Sequence, residues 1–364
     1  MMHNATPMTE SLQSVAPRRL ERNVPLAPLT TLGIGGPARL FVRAETVDAI
    51  REAVAWAAAE HAPLFILGGG SNLLIADEGF DGLVLQVDLR GITIRSESQE
   101  GVTIYVAAGE RWDDVVSHAV TRGWAGVECL SGIPGLAGAT PIQNVGAYGQ
   151  DVSETIVEVE AIERESGRMV TLTNRDCGFE YRQSIFKSSA KDGYIVTGVA
   201  FQLRPGGAAT IRYPELQTYL DEHEIEANDL RGVRNAVIAI RKRKGMVLDP
   251  SDPDTRSDGS FFMNPVVTPA ELDEFLLRAG SKNVPYFPSG NQIKLSAAWL
   301  IEHAGFHKGF VHSNVGLSSK HTLAVINRGG GTAREVLELV SMIQGRVREA
   351  FGVEIHPEPN FIGF

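Results

Sequence analysis

The residues whose type and spacing best suit chemistry are glycines. One run is Gly68-Gly69-Gly70-Ser71-Asn72; the other stretches from Ser131 to Gly149 and holds Gly132, Gly135, Gly138, Gly146 and Gly149. Backbone N–H groups converge on a phosphate most easily where no Cβ intervenes, so both runs are candidate cradles. Two familiar versions are excluded. The Gly-x-x-x-x-Gly-Lys-Ser/Thr pattern is absent. A dinucleotide fingerprint needs a helix directly after its loop, whereas Leu73-Leu74-Ile75 reads as strand. Alone, the first run could equally be a hairpin turn that needs positive φ. The second is too specific for a generic turn. In Ser131-Gly132-Ile133-Pro134-Gly135, Gly138-Ala139 and Pro141–Gly149, small residues alternate with polar amides, as suits a chain lying along an extended ligand. No His, Asp or Glu grouping has metal-ligand spacing, so no metal centre is expected. Cys129 and Cys177 stand far apart without a CxxC partner, which suits a reducing cytosol better than a disulfide scaffold.

Positioning these loops falls to 364 residues, enough for two or three domains and a core that needs no disulfides. Glycine supplies 38 of them, about one in ten and above the typical ~7%. The net charge of −10 argues against general nucleic-acid or anionic-membrane binding, yet leaves room for local cations around a phosphorylated ligand. Residues 1–17, with Glu10 as their only charged side chain, read as a disordered tail. No stretch approaches the ~20 apolar residues that span a bilayer, so a cytoplasmic location is expected.

Residues 18–88 read as short strands (Ala38–Val42, Pro63–Leu67, Leu73–Ile75, Leu83–Val87) around one helix. That helix runs from an N-cap at Thr46 to about His61, with Val47, Ile50, Val54 and Ala57 inward. Residues 89–245 carry a strand at Val102–Ala108 and a helix at Trp112–Arg122 closed by Gly123. Strands at Thr155–Glu163, Met169–Leu172 and Tyr194–Leu203 follow at hairpin-like spacing, so an antiparallel component and an α+β fold are expected. Residues 246–349 hold two Thr-x-x-Glu capping boxes, Thr268 to Glu271 and Thr332 to Glu335. The second opens a helix with Val336, Leu339, Val340, Ile343 and Val347 on one face, ending at Gly352. A strand-like tail, Val353–Ile355, then leads to Pro357-Glu358-Pro359.

Taken in order, a set of motifs resembles the UDP-N-acetylenolpyruvoylglucosamine reductase (MurB) family, bacterial flavoenzymes of peptidoglycan precursor synthesis. They are Thr31-Leu32-Gly33-Ile34-Gly35-Gly36, Leu67–Asn72, Ile133-Pro134-Gly135 and Pro141–Gly149. Tyr181-Arg182-Gln183-Ser184-Ile185-Phe186-Lys187, Gly259-Ser260-Phe261-Phe262 and Pro357-Glu358 complete it. The resemblance covers roughly Asn23 to Phe364. It implies a vanillyl-alcohol-oxidase-like (PCMH-type) FAD-binding region in two parts, 18–88 and 89–245. A smaller α/β substrate-binding domain, 246–349, would follow, with a tail, 350–364, that returns to the flavin. FAD would lie on Gly68, Gly69, Gly70, Ser71, Asn72, Gly132, Ile133, Pro134, Gly135, Gly138, Ala139, Asn144, Gly146 and Ala147. NADPH would be co-substrate and UDP-N-acetylglucosamine enolpyruvate the substrate of a monomeric enzyme.

The same resemblance assigns three catalytic residues. Reduction of the enolpyruvyl ether puts hydride on the vinyl CH₂ carbon and negative charge on its neighbour and the carboxylate, which then needs stabilisation and a proton. Arg182 would hold the carboxylate, Glu358 would polarise the intermediate in a protonated form, and Ser260 would deliver the proton. A serine is a poor acid, so it needs a donor behind it or a strongly basic carbanion ahead. Tyr213 matches the substrate-covering loop tyrosine of one subtype; Tyr148, Lys244, Asn264 and His321 match substrate contacts. Local readings stay open for four of these five: Tyr213 as a packed loop aromatic, Lys244 as a solvated helix end, Asn264 as a pre-proline turn, His321 as an ordinary core or surface histidine. Departures include Met263 where lysine is common, and a longer segment from Arg243 to Asp258 carrying Asp249, Asp252, Asp254 and Asp258. Two rivals stand beside the reductase: a related flavoprotein oxidase, and a non-catalytic UDP-sugar binder that the joint presence of Arg182, Ser260 and Glu358 opposes.

Overall fold

In the computed structural model, residues 16–280 and 284–364 are described; most of the tail expected over residues 1–17 falls outside them. The first sheet has the spatial order Glu21–Pro25, Pro37–Ala44, Phe80–Val87, Leu64–Leu67. Its outer pair is antiparallel and its other two pairings are parallel. Helix Val47–Ala59 provides the crossover between the parallel strands, with the Thr46 side chain accepting from the Ala49 amide. Ile50, Ala53, Val54 and Ala57 are its buried face, with Val47 only half-buried. Helical geometry brings Ala53 into the stripe between Ile50 and Ala57.

The second sheet is antiparallel, in the order Met169–Thr173, Ile156–Glu163, Tyr194–Pro205, Val102–Ala107, Ile92–Glu97. Tyr194–Pro205 is its long central strand, buried almost throughout because neighbours flank both edges and helices cover its surface. Helix Trp112–Thr121 packs beside it, and Gly123 takes φ +70 after the helix end. One hydrophobic core joins both sheets, running from Leu40 through Val106 and Val199 to Ile240.

A second core lies under helices Pro269–Ala279, Ala297–His303 and Ala333–Phe351. Both capping boxes form, at Thr268 with Glu271 and at Thr332 with Glu335. Leu32, Ile34 and Leu74, from the amino-terminal part of the chain, enter this core. The Asp77 carboxylate accepts from the Ala333 and Arg334 amides, tying the first unit to the start of the last long helix.

The strand expected at Val353–Ile355 does not form. Val353 and Ile355 instead bury into the second core, and Gln344 holds the Ile355 carbonyl. The terminal strand is Asn360–Ile362, parallel to Leu73–Ile75. Among the described residues no helix is long and apolar enough to cross a membrane.

Candidate active site

The glycine runs meet because both lack side chains. A Cβ on Gly69 would stand 2.7 Å from the Gly135 Cα, and one on Gly138 would stand 2.5 Å from the Ala108 Cβ. Gly70 takes φ +63, where a Cβ would strike the Leu29 carbonyl. Ser71 Oγ donates to the Pro134 carbonyl at 3.3 Å, fastening one loop to the other. Between and beside the loops lies a cavity of about 670 Å³. Of the residues expected to hold a cofactor, Gly68 to Asn72, Ile133 to Gly135, Gly138, Ala139 and Gly146 line it.

Gly132, Asn144 and Ala147 are not among the lining residues. The Gly132 amide donates to Asp113 Oδ1, itself in a two-bond pair with Arg234. Asn144 holds φ +46 and spends its side chain on the Glu180 carbonyl and the Ser153 amide. Ala147 pairs with Gln150 in a short ladder. Their work in this fold is to shape the second loop.

Arg182, Ser260 and Glu358 all line the same cavity. Arg182 sits at φ +55 in a tight turn closed by reciprocal Glu180–Gln183 bonds. Its Nη2 donates to the Gly146 carbonyl at 2.5 Å and Nη1 to the Asn144 carbonyl at 3.2 Å, so the glycine-rich segment fixes the guanidinium. Its Nε lies 3.8 Å from Glu358 Oε1. Ser260 and Glu358 hang on one irregular ladder: the Glu358 amide donates to the Phe261 carbonyl, and Phe262 bridges Pro357. Asn72 donates to the Glu358 carbonyl, and the Asn360 amide to the Asn72 carbonyl. The first glycine loop therefore positions the carboxylate through its backbone.

Burial pushes the Glu358 carboxyl above its ordinary value, against the pull of Arg182 and Lys187. Burial likewise lowers the Lys187 ammonium, with Glu358 opposing. Each group favours the other's charged form, while burial opposes both charges. That balance suits a proton-sharing site.

The other expected contacts divide. Tyr148 and Tyr213 meet edge to face, centroids 5.4 Å apart. Lys244 Nζ is 6.0 Å from the Tyr148 ring centroid and 2.5 Å from Glu215 Oε2. Burial, then Lys244 and Lys308, push His321 down to about 4, so its ring is neutral at pH 7. Asn264 Oδ1 accepts from the Ala297 amide at a helix start, and its side chain also bonds Tyr181.

Charged cavity residues outside those assigned from the motifs include Lys187, Arg241 and Asp258. Lys187 ends the Tyr-Arg-Gln-Ser-Ile-Phe-Lys motif. Arg241 is buried, with Nη2 on the Met246 carbonyl and Nε without a partner. The clue was in the run Arg241-Lys242-Arg243-Lys244: consecutive helical residues are ~100° apart, so all four cannot face water. Asp258 is buried too, and its Oδ2 has no partner.

Comparison with known proteins adds the following. Residues 249–362 match the family model for the UDP-N-acetylenolpyruvoylglucosamine reductase C-terminal domain, and residues 38–173 match that for an FAD binding domain. The UDP-N-acetylenolpyruvoylglucosamine reductase of Thermobifida fusca is 47% identical over 349 residues, 94% of this chain and 98% of its own. That of Saccharopolyspora erythraea is 48% identical, over 92% of this chain and 93% of its own. The crystal structure of UDP-N-acetylenolpyruvylglucosamine reductase from Thermus caldophilus superposes with a TM-score of 0.64 at 27% identity, covering 94% of this chain and 99% of the other.

Proposed function

The chain belongs to the UDP-N-acetylenolpyruvoylglucosamine reductase family, and from that premise we propose that it reduces UDP-N-acetylglucosamine enolpyruvate to UDP-N-acetylmuramate with NADPH through FAD. The observation that carries this reading is the convergence of Arg182, Glu358 and Ser260, from three distant parts of the chain, on one glycine-walled cavity. FAD fits the residues present. Interlocked glycines wall the cavity, and Arg241 Nε is a buried donor without a partner on its wall. Gly68, Gly69, Gly70, Ser71, Asn72, Ile133, Pro134, Gly135, Gly138, Ala139 and Gly146 would hold the cofactor, with Arg241 beside them.

FAD supplies hydride when bound and reduced by NADPH. Arg182 binds the enolpyruvyl carboxylate and stabilises the charge that forms there, its guanidinium already oriented by the Asn144 and Gly146 carbonyls. Preorganised donors need not rearrange as the charge develops. Glu358, held toward its protonated form, donates to the same charge; an ionised carboxylate there would oppose it. Ser260 Oγ gives its proton to the carbon bearing the charge.

At the rim, Tyr213 covers bound substrate, as in the tyrosine-loop subtype. Its support is the Tyr148 contact and the 42% exposure that leaves it free to close on a ligand. Lys244 takes the diphosphate in exchange for Glu215, and neutral His321 offers a hydrogen bond beside it. We place the enzyme in the cytoplasm as a monomer, where its nucleotide-sugar substrate and NADPH are held.

Steady-state turnover tests the function. NADPH consumption should require the enolpyruvyl sugar and yield a product heavier by two hydrogens. Sustained NADPH consumption with oxygen alone, unaffected by the sugar, would indicate an oxidase instead.

A further inference from the structure

Beside the tyrosine pair stands an arginine that the reductase reading leaves without a task. Arg212 directly precedes Tyr213, and its Nη1 donates to the Gly149 carbonyl at 3.0 Å and to the Glu154 carboxylate. A Cβ on Gly149 would stand 2.8 Å from the Arg212 Cβ, so the two segments touch at a point that favours glycine. One residue away on each segment, Tyr148 and Tyr213 meet edge to face. Tyr148 and Gly149 take φ +52 and +77 in succession. Left-handed backbone is unfavourable for a tyrosine and persists where neighbours hold it. The Arg212 bond to the next carbonyl supplies part of that hold.

We propose that Arg212 is the positioning residue of Tyr213, tethering it against Tyr148 so that the ring is already in place when the sugar nucleotide arrives. This rests on the covering role proposed for Tyr213 above. Two ties hold the segment, one on either side of the tyrosine. On the amino-terminal side Arg212 reaches Gly149 and Glu154. On the other, Glu215, in the first turn of helix Pro214–Glu222, accepts from Lys244 Nζ at 2.5 Å. This second tie is the one that opens when Lys244 exchanges Glu215 for the diphosphate. The Arg212 tie takes no part in that exchange, so it keeps Tyr213 from swinging out as the ligand enters. Less ordering is then left to be done on binding, which is the contribution of a preorganised contact.

Arg212 suits a tether better than a ligand contact. Its bonds are charge-assisted, and such bonds are stronger than neutral ones. Neither Arg212 nor Glu154 is among the residues lining the cavity of Arg182, Ser260 and Glu358. Both line a second cavity of about 410 Å³, together with Arg204 and Thr210. The chain leading to Arg212 is fixed independently. The Ala209 amide donates to the Ala227 carbonyl, and Arg204 Nη2 to the Ala208 carbonyl and to Thr210 Oγ1. Tyr213 itself stands at the helix start without a capping side-chain bond. Its ring is therefore placed by packing on Tyr148 and by the arginine beside it.

The test measures KM for the enolpyruvyl sugar, and flavin reduction by NADPH, in purified holoenzyme. Arg212→Ala should raise KM about fivefold and leave the reduction rate unchanged. Arg212→Lys should recover part of the loss. Glu154→Gln, a near-isosteric change that spares the Gly149 bond and keeps the test open if Arg212→Ala fails to fold, should raise KM about twofold. The double variant Arg212→Ala/Tyr213→Ala should have the KM of Tyr213→Ala alone, because the arginine acts through the tyrosine. A merely structural role would make the two effects add. Additive effects overturn the tether alone. So does a wild-type KM in Arg212→Ala or Glu154→Gln beside a raised KM in Tyr213→Ala. An unchanged KM in Tyr213→Ala overturns the covering role, and the tether with it.

Discussion

Ser260, Glu358 and Asp258 make separable predictions at the scale of single residues. Ser260→Ala should leave flavin reduction by NADPH intact and slow reoxidation by the sugar at least 100-fold. Equal slowing of both half-reactions, measured by stopped-flow absorbance, would remove the proton-donor role. Glu358→Gln keeps a hydrogen-bond donor and should retain more reoxidation activity than Glu358→Ala. A carboxylate mechanism predicts equal losses. Asp258 also makes a stability claim with a definite sign. Its folded value, about 8, lies above the ~3.9 of an unfolded aspartate, so across that window only the folded chain keeps the proton. Its contribution is complete below pH ~4 and is lost as pH rises through about 8. Asp258→Asn should therefore raise the melting temperature at pH 8.5 and change it far less at pH 4. An equal change at both would contradict the shift. The proposed catalytic residues come from motif resemblance; Arg182, Ser260 and Glu358 are too far apart in sequence for local spacing to connect them. Asp258 was visible only as one of four acids in a long segment. Its isolation from charge depends on Thr31 and Leu73, which no local pattern links to it.

Elements carry the geometry that the residues need. Gly69→Ala sets a Cβ against the Gly135 backbone, where neither chain can yield cheaply. Purified Gly69→Ala should lose most of its flavin, read as a fall in the visible-to-ultraviolet absorbance ratio. Full retention would mean that the loops are not the cradle. Truncation after Pro359 removes the strand paired with Leu73–Ile75 and frees the segment carrying Glu358. It should impair reoxidation more than Glu358→Gln does. At the rim, Tyr213→Ala should raise KM for the sugar while sparing reduction by NADPH. An unchanged KM would remove the covering role. Most helices and strands were legible because capping boxes and hydrophobic periodicity are local. The terminal strand was not. Val353 and Ile355 alternate like a strand but, beyond the end of the last helix, bury in the second core, whereas Asn360–Ile362 is a strand only because a distant segment supplies its partner.

The whole molecule resolves the apparent conflict between net charge and ligand. A chain of charge −10 brings Arg182, Lys187 and Arg241 to one cavity, and Lys244 directly precedes Gly245, which lines it. Overall charge gave no hint of this, because burial and position, rather than number, decide how a cation acts. Glycine proved more informative: at Gly69 and Gly70 it lets two segments pass at backbone distance. The direct test of the central claim is an anaerobic single turnover of the purified yellow protein. NADPH should bleach the flavin, and one equivalent of UDP-N-acetylglucosamine enolpyruvate should restore the oxidised spectrum without oxygen. A flavin that stays reduced with the sugar and recovers only when air is admitted would contradict the account.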